Sequence, residues 1–144
     1  MIIKNKYFLF CLLVLFYGST RADVGIDVLC LSSTDPKPVN MEMRFYFDKD
    51  AKWMTGFVRY NSKKAIPIVL KSSVRDVTSP DAPIEHTDLW LEIVDGKITG
   101  AYEITMQGTQ IPSATYENYT SRRKFFFLLN NDIERAPATG CQWK

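Results

Sequence analysis

His86 is the only histidine in the 144-residue chain, which makes it the first candidate for acid–base chemistry. It lies in the polar run Glu85-His86-Thr87-Asp88, so a hydrolase that needs an imidazole base must use it. The sequence contains no Gly-x-Ser-x-Gly elbow, paired-histidine zinc motif or glycine-rich phosphate loop. We therefore rank a minor hydrolase using His86 below a non-catalytic function, and predict that the protein is not an enzyme.

Acidic residues around the histidine suggest a second kind of chemistry, the binding of a cation. Asp81, Glu85 and Asp88 supply carboxylates beside His86. They lack the alternating ligand spacing of a calcium loop, and a solvated polar turn explains them more simply. We predict no metal site and no cofactor.

A polar and aromatic stretch, residues 107–119, is the best candidate for a recognition surface. It combines glycine and proline, which give an irregular backbone, with amide, hydroxyl and tyrosine side chains that suit adaptable contacts. The alternation in Ala114-x-Tyr116 leaves open that Tyr116 is a core residue instead. The predicted binding residues are Gln107, Gln110, Ser113, Tyr116 and Tyr119.

Several aromatic residues occupy positions that alternation assigns to the face of the strand pointing away from the core. Tyr46 shares a face with Arg44, and Trp90 shares a face with Glu92. Residues 123–129 are apolar on both faces, so this strand is either covered on both sides or presents aromatic rings outward. Exposed aromatic patches mark partner or ligand sites, which again favours recognition.

The elements that must position these residues are strands, because apolar and polar residues alternate with period two through most of the chain. Residues 39–47 show the pattern most clearly, and no window shows helical periodicity. Asp95-Gly96 between two such strands predicts a two-residue hairpin turn. The predicted strands are residues 24–31, 39–47, 53–60, 65–72, 88–94, 97–107, 113–118 and 123–129.

Short connections join most of these strands, which is typical of consecutive hairpins. We predict an all-β fold, a single antiparallel meander of about eight strands that forms a β-barrel or a two-sheet sandwich. Closing or stacking the sheet allows each strand to hide one face.

Residues 1–22 have the features of a cleavable secretory signal peptide. Lys4 and Lys6 precede an apolar run at residues 7–17, and small and polar residues ending in Ala22 follow it. The run is about half as long as the roughly 20 residues that a membrane-spanning helix needs. We predict a signal peptide at 1–22 and a single β domain at 23–144, periplasmic or secreted and free of the membrane after cleavage.

The cysteines fit the same compartment. Removing residues 1–22 removes Cys11 and leaves Cys30 and Cys141, an even count in an exported domain. A redox pair usually lies close together as Cys-x-x-Cys, and a zinc site needs more ligands. We predict a structural disulfide between Cys30 and Cys141.

Charge and architecture together limit the class of partner. Lys4, Lys6 and Arg21 lie in the predicted signal, so the remaining domain has 15 basic and 16 acidic residues, a net charge of −1. A domain with this charge balance has no excess of positive charge to bind a phosphate backbone, which argues against nucleic acid as a partner. We expect a non-enzymatic binding or inhibitor-type module that recognises a protein or another extracytoplasmic ligand. The alternative is a barrel that carries a small apolar ligand.

The first testable prediction concerns processing. Cleavage after Ala22 would make Asp23 the N-terminus of the exported protein. Intact-mass measurement of protein recovered from the periplasm or the medium checks this, and a mass that retains the first 22 residues contradicts it.

Overall fold

The strands form a closed antiparallel barrel in a computed structural model, which describes residues 23–77, 83–108 and 112–143. The first eight strands pair in chain order, and the eighth pairs with the first. The last two form a separate two-stranded sheet. The strands are β1 (Val24–Ser33), β2 (Asn40–Asp48), β3 (Trp53–Tyr60), β4 (Ile66–Asp76), β5 (Glu85–Val94), β6 (Lys97–Gln107), β7 (Ser113–Asn118), β8 (Lys124–Leu129), β9 (Arg135–Ala136) and β10 (Gly140–Cys141). The all-β meander is confirmed, and of the two predicted architectures the barrel is the correct one.

Inward-facing side chains fill the interior of the barrel, as expected for eight strands. The register places Met43 of β2 opposite Leu29 of β1 and Val58 of β3, so neighbouring strands contribute to one layer. The buried core consists of Leu29, Leu31, Met41, Met43, Phe45, Val58, Ile68, Trp90, Tyr102, Ile104, Ala114 and Phe127.

Strand β5 faces the opposite way to the sequence prediction. Trp90 is 1% exposed and Glu92 is 5% exposed, so their placement opposite the core is wrong. Leu89 and Leu91 lie on the outer face and are only half-buried. Inside the barrel Trp90 packs on Phe45, with 4.8 Å between ring centroids. The larger ring therefore fills the interior, and the leucines cover the outer surface.

Strand β8 presents apolar side chains on both faces. Phe127 is buried in the core and Phe125 packs against it from the same face. Phe126 and Leu128 point outward and are 45% and 42% exposed. Of the two interpretations of residues 123–129, outward presentation is the correct one.

Connections alternate between the two ends of the barrel because consecutive strands run in opposite directions. The connections that follow β1, β3, β5 and β7 lie at what we call the upper end, and those that follow β2, β4 and β6 lie at the lower end. The predicted hairpin turn between β5 and β6 is confirmed, with φ angles of 49° at Asp95 and 71° at Gly96.

The chain after β8 crosses the outer face of β1 and β2 and is bonded there. The Cα atoms of Cys30 and Cys141 lie 5.7 Å apart in a disulfide, as predicted. Cys141 N donates to Glu42 Oε2 at 3.0 Å, and Arg44 pairs with the same carboxylate at 2.9 Å. A bridge across 111 residues is worth about 4 to 5 kcal/mol in the chain-entropy model.

A buried carboxylate, Glu92, lies inside the barrel near the upper end and is fully hydrogen-bonded. Its Oε2 accepts from the Tyr102 hydroxyl at 2.6 Å, and its Oε1 accepts from Tyr116 at 2.8 Å and from Thr99 at 2.7 Å. Tyr60 joins the network through a 2.8 Å contact between its hydroxyl and that of Tyr102. Three donors offset the cost of removing the carboxylate from water. We call these five residues the Glu92 cluster.

Alkaline pH is expected to destabilise the fold through this cluster. Burial, followed by the hydrogen bond to Glu92, raises the pKa of Tyr116 to about 12, and burial also raises the pKa values of Tyr60 and Tyr102. Tyrosine in the unfolded chain ionises near its ordinary pKa of 10.0. The stabilisation contributed by the protonated tyrosines is therefore fully present below pH 10.0 and is lost as the pH rises toward 12. Thermal melting across this range measures the loss.

Two variants identify the groups responsible. Tyr102→Phe should melt earlier at neutral pH, because it removes a donor to Glu92, but its melting temperature should decline less above pH 10.0. Tyr119→Phe alters an exposed tyrosine, so its melting temperature should change with pH in the same way as that of the unmodified protein. An alkaline decline that is identical in all three proteins would contradict the assignment.

Candidate ligand-binding sites at the ends of the barrel

Two cavities open at opposite ends of the barrel interior. The lower cavity has a volume of about 160 Å³ and the upper cavity about 230 Å³. The core and the Glu92 cluster occupy the space between them. The interior of the barrel is therefore not one continuous cavity, and each end has a small cavity of its own.

The lower cavity has mainly apolar walls contributed by five strands. Phe45 and Trp90 form part of its inner end, and Gly25 allows the ring of Phe47 to lie over β1, because a Cβ at position 25 would overlap that ring. The lining residues are Asp27, Leu29, Phe45, Phe47, Met54, His86, Asp88, Trp90, Ile104 and Met106.

His86 lies in the wall of this cavity with two polar neighbours on the same ring nitrogen. Its Nε2 is 2.7 Å from Ser73 Oγ and 3.2 Å from Asp88 Oδ1. In a Ser-His-Asp triad the hydroxyl and the carboxylate bind opposite nitrogens of the ring. This arrangement therefore lacks the geometry of a triad, although His86 and Asp88 are adjacent as their spacing suggested.

Two buried polar atoms that belong to residues lining this cavity have no hydrogen-bond partner among the described residues. They are Trp90 Nε1 and Asp88 Oδ1, the latter near His86 Nε2 but without hydrogen-bond geometry. A buried donor or acceptor that loses its partner costs about 1 to 3 kcal/mol. Because buried polar groups in proteins are nearly always paired, these two atoms single out the lower cavity as a place for a ligand with complementary groups.

The upper cavity is lined almost entirely by apolar surface. Tyr116 stacks on Phe125 with 6.2 Å between ring centroids, and the hydroxyls of Tyr60 and Tyr116 are turned to the Glu92 cluster. The aromatic rings therefore present carbon rather than oxygen to the opening. The lining residues are Ser33, Asp35, Val39, Tyr60, Tyr116, Phe125 and Phe127.

The described residues of the predicted recognition stretch lie at both ends of the barrel. Gln107 and Ser113 lie at the lower end, whereas Tyr116 is half-buried in the upper cavity and Tyr119 is exposed on the upper turn. At the rise of a strand, Ser113 and Tyr116 are about 10 Å apart along β7. Gln110 lies outside the described residues. The structure brings together Tyr116 and the upper cavity, and the binding role of all five residues stays a prediction.

Sequence reasoning did not identify Trp90 and Asp27 as cavity residues. The available signal was the alternation His86-x-Asp88-x-Trp90, which places three side chains on one face of β5. That face became recognisable as the inner one only once Phe45 was known to pack on Trp90.

No group of three or more histidine, cysteine, aspartate or glutamate side chains in the described ranges is placed to hold a metal ion. Within those same ranges, no helix has the length and apolar character needed to cross a membrane. No protein-family model, curated protein or solved structure matches the chain.

Proposed function

We propose that the protein is an exported, non-enzymatic binding protein that holds a small, largely apolar ligand in the lower cavity. One observation carries this proposal: an apolar cavity is lined by Trp90, whose buried indole N–H has no hydrogen-bond partner among the described residues. Ligand sites are mostly apolar concavities in which a few polar groups fix orientation.

The volume of the cavity limits the size of the ligand. About 160 Å³ is close to the volume of an engineered apolar cavity, about 150 Å³, that binds benzene. A molecule with one aromatic ring and a polar substituent therefore fits better than a long lipid. The substituent should accept a hydrogen bond from Trp90 or donate one to Asp88.

Recognition of a protein partner is the second candidate function, and the outer face of β8 favours it. Phe126 and Leu128 are neighbours on that face and are 45% and 42% exposed. Adjacent exposed apolar side chains mark interaction surfaces more often than scattered ones do. Loss of partner capture in a Phe126→Ser/Leu128→Ser variant that still folds would favour this function over small-ligand binding.

Binding to the lower cavity is tested through the indole N–H of Trp90. Benzyl alcohol, phenol and benzylamine serve as probes, and the Trp90 resonance is followed in ¹H–¹⁵N spectra of the Trp53→Phe/Trp143→Phe variant, in which Trp90 is the remaining tryptophan. At least one probe should shift this resonance in a saturable way at millimolar concentration or below.

Two substitutions in that background locate the site. Met106→Phe, which places a rigid ring in the lining of the lower cavity without adding a second indole, should abolish the shift. Thr105→Phe introduces the same ring on the outer face of the same strand and should leave the shift intact. Equal binding by both variants, or no saturable shift with any probe, contradicts the proposal. Ester hydrolysis that disappears in a folded His86→Ala variant would instead support the hydrolase alternative.

A further inference from the structure

Basic residues are concentrated around the upper opening even though the domain is nearly neutral. We call the connections at this end the upper rim, defined as residues 34–39, 61–65, 95–96 and 119–123. The upper rim contains five basic residues (Lys37, Lys63, Lys64, Arg122 and Arg123) and two acidic residues (Asp35 and Asp95), a net charge of +3. Neither cavity has a lysine or arginine in its lining: Asp27 and Asp88 line the lower cavity, and Asp35 lines the upper one. The fold therefore brings basic residues from separate parts of the sequence together at the upper end.

Several upper-rim cations are available to an anionic ligand. Arg122 and the adjoining Lys124 are not among them, because both pair with the Glu117 carboxylate, at 3.4 and 3.6 Å. Lys37, Lys63 and Lys64 are exposed and make no ion pair with the described residues. A cluster of like charges attracts an anion most strongly at low salt, and this attraction weakens as ionic strength rises.

The cavity at the same end as the upper rim has mainly apolar walls. Tyr60, Tyr116, Phe125 and Phe127 line its walls. The guanidinium of Arg123 lies 5.1 Å from the centre of the Phe125 ring, so positive charge directly adjoins the aromatic wall. A ligand that gains from both features needs an apolar part to enter the cavity and an anionic part to remain at the rim.

We propose that the upper cavity binds a single-chain anionic amphiphile, with its tail between the aromatic walls and its head group at the upper rim. The cavity of about 230 Å³ admits a short length of chain and is concave, which favours a dispersed amphiphile over the flat surface of a bilayer. This site is separate from the lower cavity, because the Glu92 cluster and the core lie between them.

Three amphiphiles with the same tail test the proposal on the full mature domain. Octyl sulfate, octyl glucoside and octyltrimethylammonium are each titrated below their micelle concentrations, with affinity measured by calorimetry and location by ¹H–¹⁵N spectra. Octyl sulfate should bind at least about tenfold more tightly than octyl glucoside, and the cationic analogue should bind weakest. Shifts should map to the upper rim and leave the Trp90 indole resonance unchanged. The preference should diminish with added salt.

Matched charge reversals identify the head-group site. Lys63→Glu/Lys64→Glu at the upper rim should weaken octyl sulfate binding about tenfold or more and leave octyl glucoside binding unchanged. Lys49→Glu/Lys52→Glu makes the same change in net charge at the lower end and should have little effect. Val39→Asp, at a 36% exposed position in the cavity wall, should weaken both ligands without unfolding the domain.

Three results would overturn the proposal. The first is equal affinity for the three head groups, and the second is equal loss of binding in the two charge-reversed variants. The third is binding to vesicles of phosphatidylglycerol and phosphatidylcholine without binding to octyl sulfate, which would assign the upper rim to a membrane surface. None of these results bears on the lower cavity, whose occupancy is followed through Trp90.

Discussion

Closure of the barrel between β1 and β8 is the constraint on which the remaining structure depends. This junction has three residue pairs, from Leu31–Leu129 to Ser33–Phe127, the fewest of any neighbouring pair of strands in the barrel. Asn130 extends it by donating to Cys30 O at 2.8 Å and to Ser32 Oγ at 3.0 Å. The disulfide then attaches the chain after β8 to the outer face of β1. Covalent and side-chain bonds thus reinforce the junction where backbone pairing is shortest.

The closed barrel gives Glu92 a role that an open sheet could not. Its carboxylate joins hydroxyls from β3, β6 and β7, either directly or through Tyr102, and so connects opposite walls of the interior. A hydrogen-bonded buried charge has a narrow choice of geometries, because displacing any donor leaves it unpaired. The same cluster turns the tyrosine hydroxyls away from the upper opening and leaves an aromatic wall there. A stability feature therefore also determines the chemistry of the upper cavity.

The two ends of the barrel differ because the chain reverses direction at every strand. Lys37, Lys64 and Arg123 are far apart in sequence but lie in connections at the same end. Asp27 and Asp88 both line the cavity at the other end, although they lie on β1 and β5. A net charge close to zero does not determine how charge is distributed between the two openings. The ligands that we propose for the two ends therefore differ in chemistry.

Local features of the sequence determined the elements, and tertiary packing decided which side of each element faces the interior of the barrel. Alternation identified the strands, Asp95-Gly96 identified a turn, and the even cysteine count identified the disulfide, because each depends on nearby geometry or on composition. Alternation divides β5 into a face with Leu89 and a face with Trp90. The pattern does not determine which of the two faces points into the barrel. Only closure around Phe45 placed Trp90 in the core and left its indole N–H in a cavity wall. The distribution of rim charge was likewise decided by topology, since a linear count carries no information about which connections share an end of the barrel.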